Sequence, residues 1–372
     1  MSPVPDTEFA VIGGGLVGLA IAYGLRRQGK EVTVFDEGDV AFRASRGNFG
    51  LVWVQGKGAD FPDYARWTRR SAALWPAFAE ALGEETGIGV ELSQPGGLDI
   101  CLDDDELEAN VGRLEHLRGA LDGDYPFERL GHNALKEIMP EIGPKVAGAT
   151  YCPEDGHVNP LYLLRALYDG FTRAGGRVEN GGRVRAIRPE GNGFRLEVAA
   201  GHRADKVVLC AGLGNATLGP EVGLEVPVKP LRGQVLVCER IKPFLKYPSV
   251  QIRQVGEGAI QIGDSKENVG FNDRTTPQVV SRIARRAVQI YPRLESVRVV
   301  RSWAALRVMT PDGLPVYARS AAHPGAYLVT CHSGVTLAAL HAAGVAAWIA
   351  GGPQPELLES FSAKRFALHP AA

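Results

Sequence analysis

The sequence has little cysteine, and the few cysteines present show no pairing pattern. They are scattered along the chain at Cys101, Cys152, Cys210, Cys238 and Cys331. No two are separated by the two residues that zinc ribbons and iron–sulfur sites use, so neither metal centre nor a disulfide framework is supported. Reduced thiols are typical of the cytoplasm, where we expect the protein to reside.

Neither sign of charge is in excess, and no long apolar run is present. Lysine plus arginine number 41 against 42 for aspartate plus glutamate, so the formal net charge is -1. A global basic field for nucleic acid is therefore absent. No apolar run approaches the roughly 18 residues of a membrane-spanning helix, and residues 1–8 lack the basic start of a secretory signal. With 45% hydrophobic and 22% charged residues, the chain is not a disordered one.

Glycine, by contrast, is abundant, and the first glycines mark a βαβ unit. Within residues 9–35 an apolar strand, a helix and a second, β-branched strand follow one another. Gly13, Gly15 and Gly18 allow a tight turn, close approach of a pyrophosphate and close packing of helix on strand. Asp36 ends the second strand and is placed to accept hydrogen bonds from a ribose hydroxyl. The unit predicts a dinucleotide site but does not decide between NAD and FAD.

Two further segments favour a flavin dinucleotide. Residues 42–50 are dense in small and hydrogen-bonding side chains just after the ribose acid. Residues 332–336 precede another helix, whose N-terminus is suited to cap the electron-rich pyrimidine end of a flavin. An NAD-dependent enzyme has no evident use for the second of these segments.

The rest of the chain mixes helices and strands without a repeat or a flexible linker. Residues 62–140 are predicted to be mainly helical. Further helices are expected at 161–174, 276–290 and 337–349, and strands at 207–211, 234–238, 258–263 and 327–331. This order indicates two domains that are interwoven rather than sequential.

Five segments, taken in their order and spacing, carry a family resemblance. They are VIGGGLVGLAIAYGLRRQGKEVTVFD, GHVNPLYLLRAL, VVLCAG, WAALRVMTPDGLPV and VTCHSGVTLAA, and together they span nearly the whole chain. The chain thereby resembles the D-amino acid oxidase superfamily, the FAD-dependent amine and imino acid oxidoreductases that include glycine oxidase and sarcosine oxidase. Within that group, RASRGNFGLVWVQGKG is similar to the catalytic subunits of D-hydroxyproline dehydrogenases and opine oxidases.

The resemblance implies an α/β fold of the glutathione reductase type. A Rossmann-like FAD-binding domain would be interwoven with an antiparallel-sheet substrate domain. We expect the FAD-binding domain to comprise residues 1–80, 141–223 and 300–372. The substrate domain would comprise residues 81–140 and 224–299.

The resemblance also implies which residues surround the cofactor. The βαβ unit would hold the pyrophosphate and ribose, and the other positions would contact the adenine, the pyrophosphate and the isoalloxazine ring. The whole set is Gly13, Gly15, Gly18, Asp36, Glu37, Ser45, Asn48, Gly50, Leu51, Val184, Ala211, Gly212, Gly334, Val335 and Thr336. No cysteine lies between 239 and 330, where sarcosine oxidase-like enzymes attach FAD, so we expect non-covalent FAD. We expect no metal, because the acidic run at residues 103–105 has no histidine or spaced carboxylate beside it.

Four residues are candidates for the substrate pocket. Arg307 matches the arginine that pairs with the substrate carboxylate in glycine oxidase-like enzymes, and its planar fork suits that contact. Gln251 and Arg253 share one face of a predicted strand, and an ordinary sheet surface is the alternative for both. His332 lies in a shortened Cys331–Gly334 segment, where it either faces the flavin or is a buried structural histidine.

The expected reaction is oxidation of the C–N bond of a small amino or imino acid to an imine, by hydride transfer to flavin. cis-4-Hydroxy-D-proline fits the resemblance best, while glycine, sarcosine, another D-amino acid or an opine would need only different pocket side chains. Electrons would then pass to oxygen, a quinone or an iron–sulfur partner subunit. An NAD-dependent dehydrogenase and a flavoprotein that serves mainly as an interaction subunit are the alternatives, and a homo- or a hetero-oligomer is compatible with the sequence.

Overall fold

The computed structural model describes residues 6–38, 44–263 and 265–367. Within these ranges the strands, in chain order, are β1 (Thr7–Ile12), β2 (Val32–Asp36), β3 (Leu51–Val52), β4 (Gly97–Cys101), β5 (Glu128–Gly131), β6 (Gly148–Cys152), β7 (Gly156–His157), β8 (Arg177–Asn180), β9 (Ile187–Glu190), β10 (Gly193–Leu196), β11 (His202–Leu209), β12 (Lys229–Arg240), β13 (Ile252–Gln254), β14 (Ala259–Ile262), β15 (Val299–Met309), β16 (Val316–Arg319) and β17 (Ala326–Thr330).

The α-helices of the same ranges are α1 (Leu16–Arg27), α2 (Pro62–Thr86), α3 (Asp104–Ala120), α4 (His132–Ile138), α5 (Pro160–Arg173), α6 (Asn215–Leu218), α7 (Pro277–Ile290), α8 (Ala338–Leu340), α9 (Ala346–Ile349) and α10 (Lys364–Ala367). A π-helical turn, His341–Val345, joins α8 to α9. Short 3-10 helices span Gly212–Gly214, Pro220–Val222, Pro292–Ser296 and Leu358–Phe361. Among the described residues, no helix combines the length and the apolar character that crossing a bilayer requires.

A parallel sheet forms the centre of the fold. Its strands run in the order β17-β11-β1-β2-β8, all parallel, and β16 and β10 add antiparallel edges. In register, Val11 of β1 lies between Val34 of β2 and Val208 of β11, and all three are fully buried. Such β-branched runs, buried on both faces, are what a sheet covered by helices requires. The predicted βαβ unit is confirmed.

A second sheet is antiparallel, in the order β13-β14-β12-β15. One face packs on α7 through a core that includes Leu236, Ile262 and Ile283. After β11 the chain leaves the parallel sheet and forms β12 of the antiparallel sheet, and it returns to the parallel sheet at β16. The interwoven arrangement of a Rossmann-like sheet and an antiparallel sheet, predicted above, is confirmed.

The helices α1, α5 and α8–α9 cover one face of the parallel sheet. α1 approaches the π-helical turn so closely that a Cβ on Gly24 would collide with the backbone carbonyl of Ala342. Glycine is required there because two helix backbones meet without an intervening side chain.

Residues 62–140 are less uniformly helical than predicted. α2, α3 and α4 lie within this range, but β4 and β5 also do, and they flank β6 in a small antiparallel sheet. β5 has mostly exposed residues, and it is extended because it pairs with β6 rather than because of its own pattern. Local periodicity carries no signal for such a strand.

Candidate functional site

The turn after β1 has the compact geometry that its glycines allow. Gly13 has φ +111°, and a Cβ there would collide with the carbonyl of Cys210. A Cβ on Gly18 would collide with the carbonyl of Gly13. The absence of side chains therefore brings the N-terminus of α1 against the ends of β1 and β11, where the positive end of the helix dipole favours an anion.

Asp36 ties this turn to the end of β2. Its Oδ2 accepts the N–H of Gly14 at 2.8 Å, and its Oδ1 accepts the N–H of Gly38 at 2.9 Å. Glu37, the next residue, lies 3.6 Å from Nε of Arg183. Val184 follows that arginine and is buried in the core beside the sheet.

Ser45 and Asn48 form the wall opposite the glycine turn. The hydroxyl of Ser45 accepts a hydrogen bond from the N–H of Leu16 at 2.9 Å. A Cβ on Gly15 would be only 2.8 Å from this hydroxyl oxygen. Oδ1 of Asn48 accepts the N–H of Gly50 at 2.7 Å, which supports the positive φ of 89° at that glycine.

A groove runs from the glycine turn past these walls to the segment after β17. It is lined by Gly15, Leu16, Val17, Ala44, Ser45, Asn48, Cys210, Gly212, Val308, Val329, Thr330, Cys331, His332 and Gly334. The groove thus begins at a helix N-terminus and is floored largely by backbone and small side chains. These properties fit an extended dinucleotide.

The far end of the groove is held by Thr336. Its Oγ1 accepts the N–H of Trp53 at 3.1 Å and donates to the carbonyl of Leu51 at 3.3 Å. Its own carbonyl accepts from the hydroxyl of Ser71 at 2.7 Å and from the indole of Trp75 at 3.0 Å. Val335, beside it, is buried in the main core, so this end of the groove is firmly positioned.

Ala211 and Gly212 lie on the side of the groove formed by β11. The N–H of Ala211 donates to Oδ1 of Asn215 at 3.0 Å, and Gly212 has φ +58°. A Cβ on Gly13 would be 3.1 Å from the Cα of Ala211. The two turns therefore meet backbone to backbone at the groove.

Arg307 lies on β15, one residue before the groove-lining Val308. Its Nη1 donates to the carbonyl of Ser265 at 2.7 Å and to that of Arg232 at 3.3 Å. These two carbonyls fix the orientation of the guanidinium. An oriented, partly buried guanidinium is a receptor for a carboxylate.

His332 is where positive charges from separate parts of the chain converge. His332 lines the groove. Loss of surrounding water deep in the groove, and then the positive charges of Lys57, Arg307 and Lys266, lower the pKa of His332. The imidazole is therefore neutral at pH 7, and the groove beside it is cationic because of its neighbours.

Lys57, Ser333 and Tyr64 belong to this cluster, although sequence reasoning missed all three. Nζ of Lys57 donates to Oγ of Ser333 at 2.6 Å, and the hydroxyl of Tyr64 contacts the same oxygen at 2.8 Å. Burial lowers the pKa of Lys57 to about 8. The one available signal is that Lys57 lies in the segment RASRGNFGLVWVQGKG, since no spacing rule relates residues that are 276 positions apart.

The structure separates Gln251 and Arg253 from this cluster. Gln251 donates to Asp99 at 3.2 Å and faces another cavity, beside Arg286 of α7. Arg253 is fully buried behind Gly50, where its Nη1 donates to the carbonyl of Val158 at 2.7 Å. Their assignment to the substrate pocket stays a prediction.

The parallel sheet, the glycine turn and the groove are those of a dinucleotide-binding oxidoreductase. The model of the FAD dependent oxidoreductase family, DAO, matches residues 8–348, and the chain belongs to that family.

Related proteins match over nearly the full length. The chain is 44% identical to a subunit of the opine oxidase of Agrobacterium tumefaciens (strain Ach5), covering 97% of this chain and 98% of that protein. It is 28% identical to glycine oxidase of Geobacillus kaustophilus (strain HTA426), covering 90% of each chain. The crystal structure of glycine oxidase from Geobacillus kaustophilus superposes with a TM-score of 0.90 at 27% identity, covering 97% of this chain and 99% of the other.

These findings confirm the predicted family, the α/β fold and FAD as the cofactor. The protein is an FAD-dependent oxidoreductase. The roles of the individual site residues, and the domain boundaries given above, stay predictions.

Proposed function

We propose that the protein oxidises the C–N bond of a small secondary amino acid to an imine. The observation that carries this proposal is the guanidinium of Arg307, which two carbonyls orient beside the groove. A guanidinium binds a carboxylate in a defined orientation through its planar fork. Anchored there, a small amino acid presents its α-carbon to the groove.

When bound, FAD supplies the two-electron acceptor for the hydride that leaves the α-carbon. The contribution of the chain is orientation and electrostatics. The positive charges of Lys57, Arg307 and Lys266 around His332 disfavour a substrate ammonium and so favour an uncharged amine. An uncharged amine has a lone pair that stabilises the developing imine, and no separate general base is then required at that step.

We favour an opine-type secondary amine as the substrate, because the relatives at 44% and 43% identity are opine oxidase subunits. cis-4-Hydroxy-D-proline is the second candidate, supported by the resemblance of the segment around Asn48. Both are secondary amino acids, and both fit a single oriented guanidinium.

We also propose that the protein works as one component of a larger enzyme in the cytoplasm. The relatives are named as single subunits of opine oxidases, which supports a second, partner chain. The unpaired cysteines, all of them buried, support a reducing compartment. Electrons would then leave through the partner rather than directly to oxygen.

The test is the visible spectrum of the purified protein, followed without oxygen while candidate amino acids are added. We expect flavin bands that bleach with an opine or with cis-4-hydroxy-D-proline, and slow recolouring in air. A protein that binds FAD but is not bleached by any secondary amino acid would overturn the proposal.

A further inference from the structure

A second cavity lies beside the antiparallel sheet, where α7 meets the ends of β4 and β14. Its volume is about 280 Å³, and its lining includes Leu102, Gln251, Ile262 and Arg285. No residue that lines this cavity also lines the dinucleotide groove. The cavity is therefore a separate place in the fold.

The α7 wall of this cavity is strongly basic. Arg282, Arg285 and Arg286 all line it. Positions three and four residues apart lie on the same face of a helix, so the three guanidinium groups are neighbours that repel one another. An anion bound against this face offsets the repulsion.

One of these arginines, Arg286, has a carboxylate partner. Its Nη1 and Nη2 donate to the two carboxylate oxygens of Glu106 at 2.9 and 2.8 Å. Arg282 and Arg285 are exposed side chains, and within the described ranges neither forms a salt bridge. Each of these two guanidinium groups has five N–H donors in a planar fork, which suits it to an anionic ligand.

Outside α7, the cavity has a buried acceptor that lacks a donor. Gln251, just before β13, is only 7% exposed, and its Nε2 donates to Oδ1 of Asp99 at 3.2 Å. Its Oε1 is buried and accepts no hydrogen bond from any residue in the described part of the chain. A buried amide oxygen without a donor is unfavourable, so a ligand with an O–H or N–H group is stabilised beside it.

The rest of the lining is largely apolar. It includes Leu102, Ile262, Ile283 and Ala287, of which the last three belong to the core between the sheet and α7. At about 280 Å³ the cavity lies close to the lower end of the range for small-molecule sites, roughly 300–1,000 Å³. It therefore has room for an organic group as well as an anionic one.

We propose that this cavity binds a small phosphorylated molecule. A phosphate group carries about two negative charges and three acceptor oxygens, so it can accept from the forks of Arg282 and Arg285 together. The organic part of the ligand lies on the apolar lining, and an O–H group of the ligand donates to Oε1 of Gln251. This inference gives Gln251 a role outside the substrate pocket, and it does not depend on the proposed C–N oxidation.

Calorimetric titration at pH 7 and constant ionic strength tests the site. The holoenzyme is used, because its groove already holds the phosphates of FAD. We expect saturable binding of glycerol 3-phosphate and weaker binding of inorganic phosphate. Sulfate has no O–H group at this pH, so we expect it to bind about tenfold more weakly than inorganic phosphate.

Variants locate the binding. The double change Arg282→Gln and Arg285→Gln is expected to weaken the binding of glycerol 3-phosphate by about tenfold or more. The matched control is Arg66→Gln with Arg70→Gln, which removes two exposed arginines four residues apart on α2 and leaves binding unchanged. Gln251→Leu is expected to abolish the preference for phosphate over sulfate. The flavin spectrum of each variant shows whether it has folded.

The contrary outcomes are equally specific. Absence of saturable binding by wild type, or equal binding by the double variant of α7, overturns the site. Equal affinity of wild type for phosphate and sulfate overturns the contact with Gln251, as does a preference that survives in Gln251→Leu. Tighter binding of inorganic phosphate than of glycerol 3-phosphate overturns the organic part of the ligand. The wild-type comparisons decide even if a variant does not fold.

Discussion

The guanidinium of Arg307 lies across the bare Cα of Gly233 on the neighbouring strand. A Cβ at Gly233 would come within 2.5 Å of Cζ of the arginine. In register, Gly233 pairs with Ala305, two residues before Arg307 on β15. The missing side chain on β12 therefore creates the space in which the candidate carboxylate receptor is oriented.

Gly233→Ala is expected to displace this guanidinium and not to unfold the sheet, because the clash falls on the far end of a flexible side chain. We expect substrate binding to weaken by about tenfold, the worth of one charge-assisted contact. The FAD content of the purified protein stays at the wild-type level. Gly112→Ala is the matched control, since a Cβ there meets nothing within 4 Å. Equal substrate affinity in the two variants would show that the orientation of Arg307 is irrelevant.

Arg307→Leu removes the charge and the fork together. The apparent substrate dissociation constant is expected to rise about 100-fold, because a partly buried carboxylate loses its charged partner. Flavin remains bound, since the groove residues are unchanged. Rapid-reaction measurement of flavin reduction against substrate concentration gives the constant. The dissociation constant of Arg307→Lys should lie between those of wild type and Arg307→Leu. Unchanged kinetics in Arg307→Leu would show that Arg307 does not bind the substrate.

Asp36→Ala is expected to weaken FAD binding rather than substrate binding. The carboxylate accepts hydrogen bonds from the N–H groups of Gly14 and Gly38, so its loss removes two contacts that hold the cofactor-binding turn in place. We expect a fall in FAD affinity of about tenfold or more. Titrating FAD into the apoprotein measures it by quenching of flavin fluorescence. Asp36→Asn retains one acceptor oxygen and should lose less, and equal affinity of all three proteins would contradict the assignment.

The parts of the site that the sequence predicts are those made by neighbours along the chain. The turn from Gly13 to Gly18 and the acid at Asp36 form within one βαβ unit, so spacing alone specifies them. The contact of Lys57 with Ser333 depends on packing between distant segments, and no local pattern encodes it. The hydrogen bond from Gln251 to Asp99 likewise joins residues far apart in the chain, and no local pattern predicts it.

Among the helices and strands, too, those with a strong local pattern are predicted and those that depend on packing are not. α7 (Pro277–Ile290) and β17 (Ala326–Thr330) lie within a residue or so of their predicted bounds, because each has a strong periodic or apolar pattern. The π-helical turn at His341–Val345 was not predicted, because the small apolar residues of this segment are equally compatible with a continuous helix; in the structure the turn lies against Gly24.

Residues from near both ends of the sequence form the groove, with Gly15 on one wall and His332 on another. A ribosome must therefore release almost the whole polypeptide before the walls can meet. The βαβ unit is made first but has no complete cofactor site until β17 is inserted beside β11. Cofactor capture is thus a late event in the biogenesis of this enzyme, and flavin supply acts on a chain that is already nearly folded.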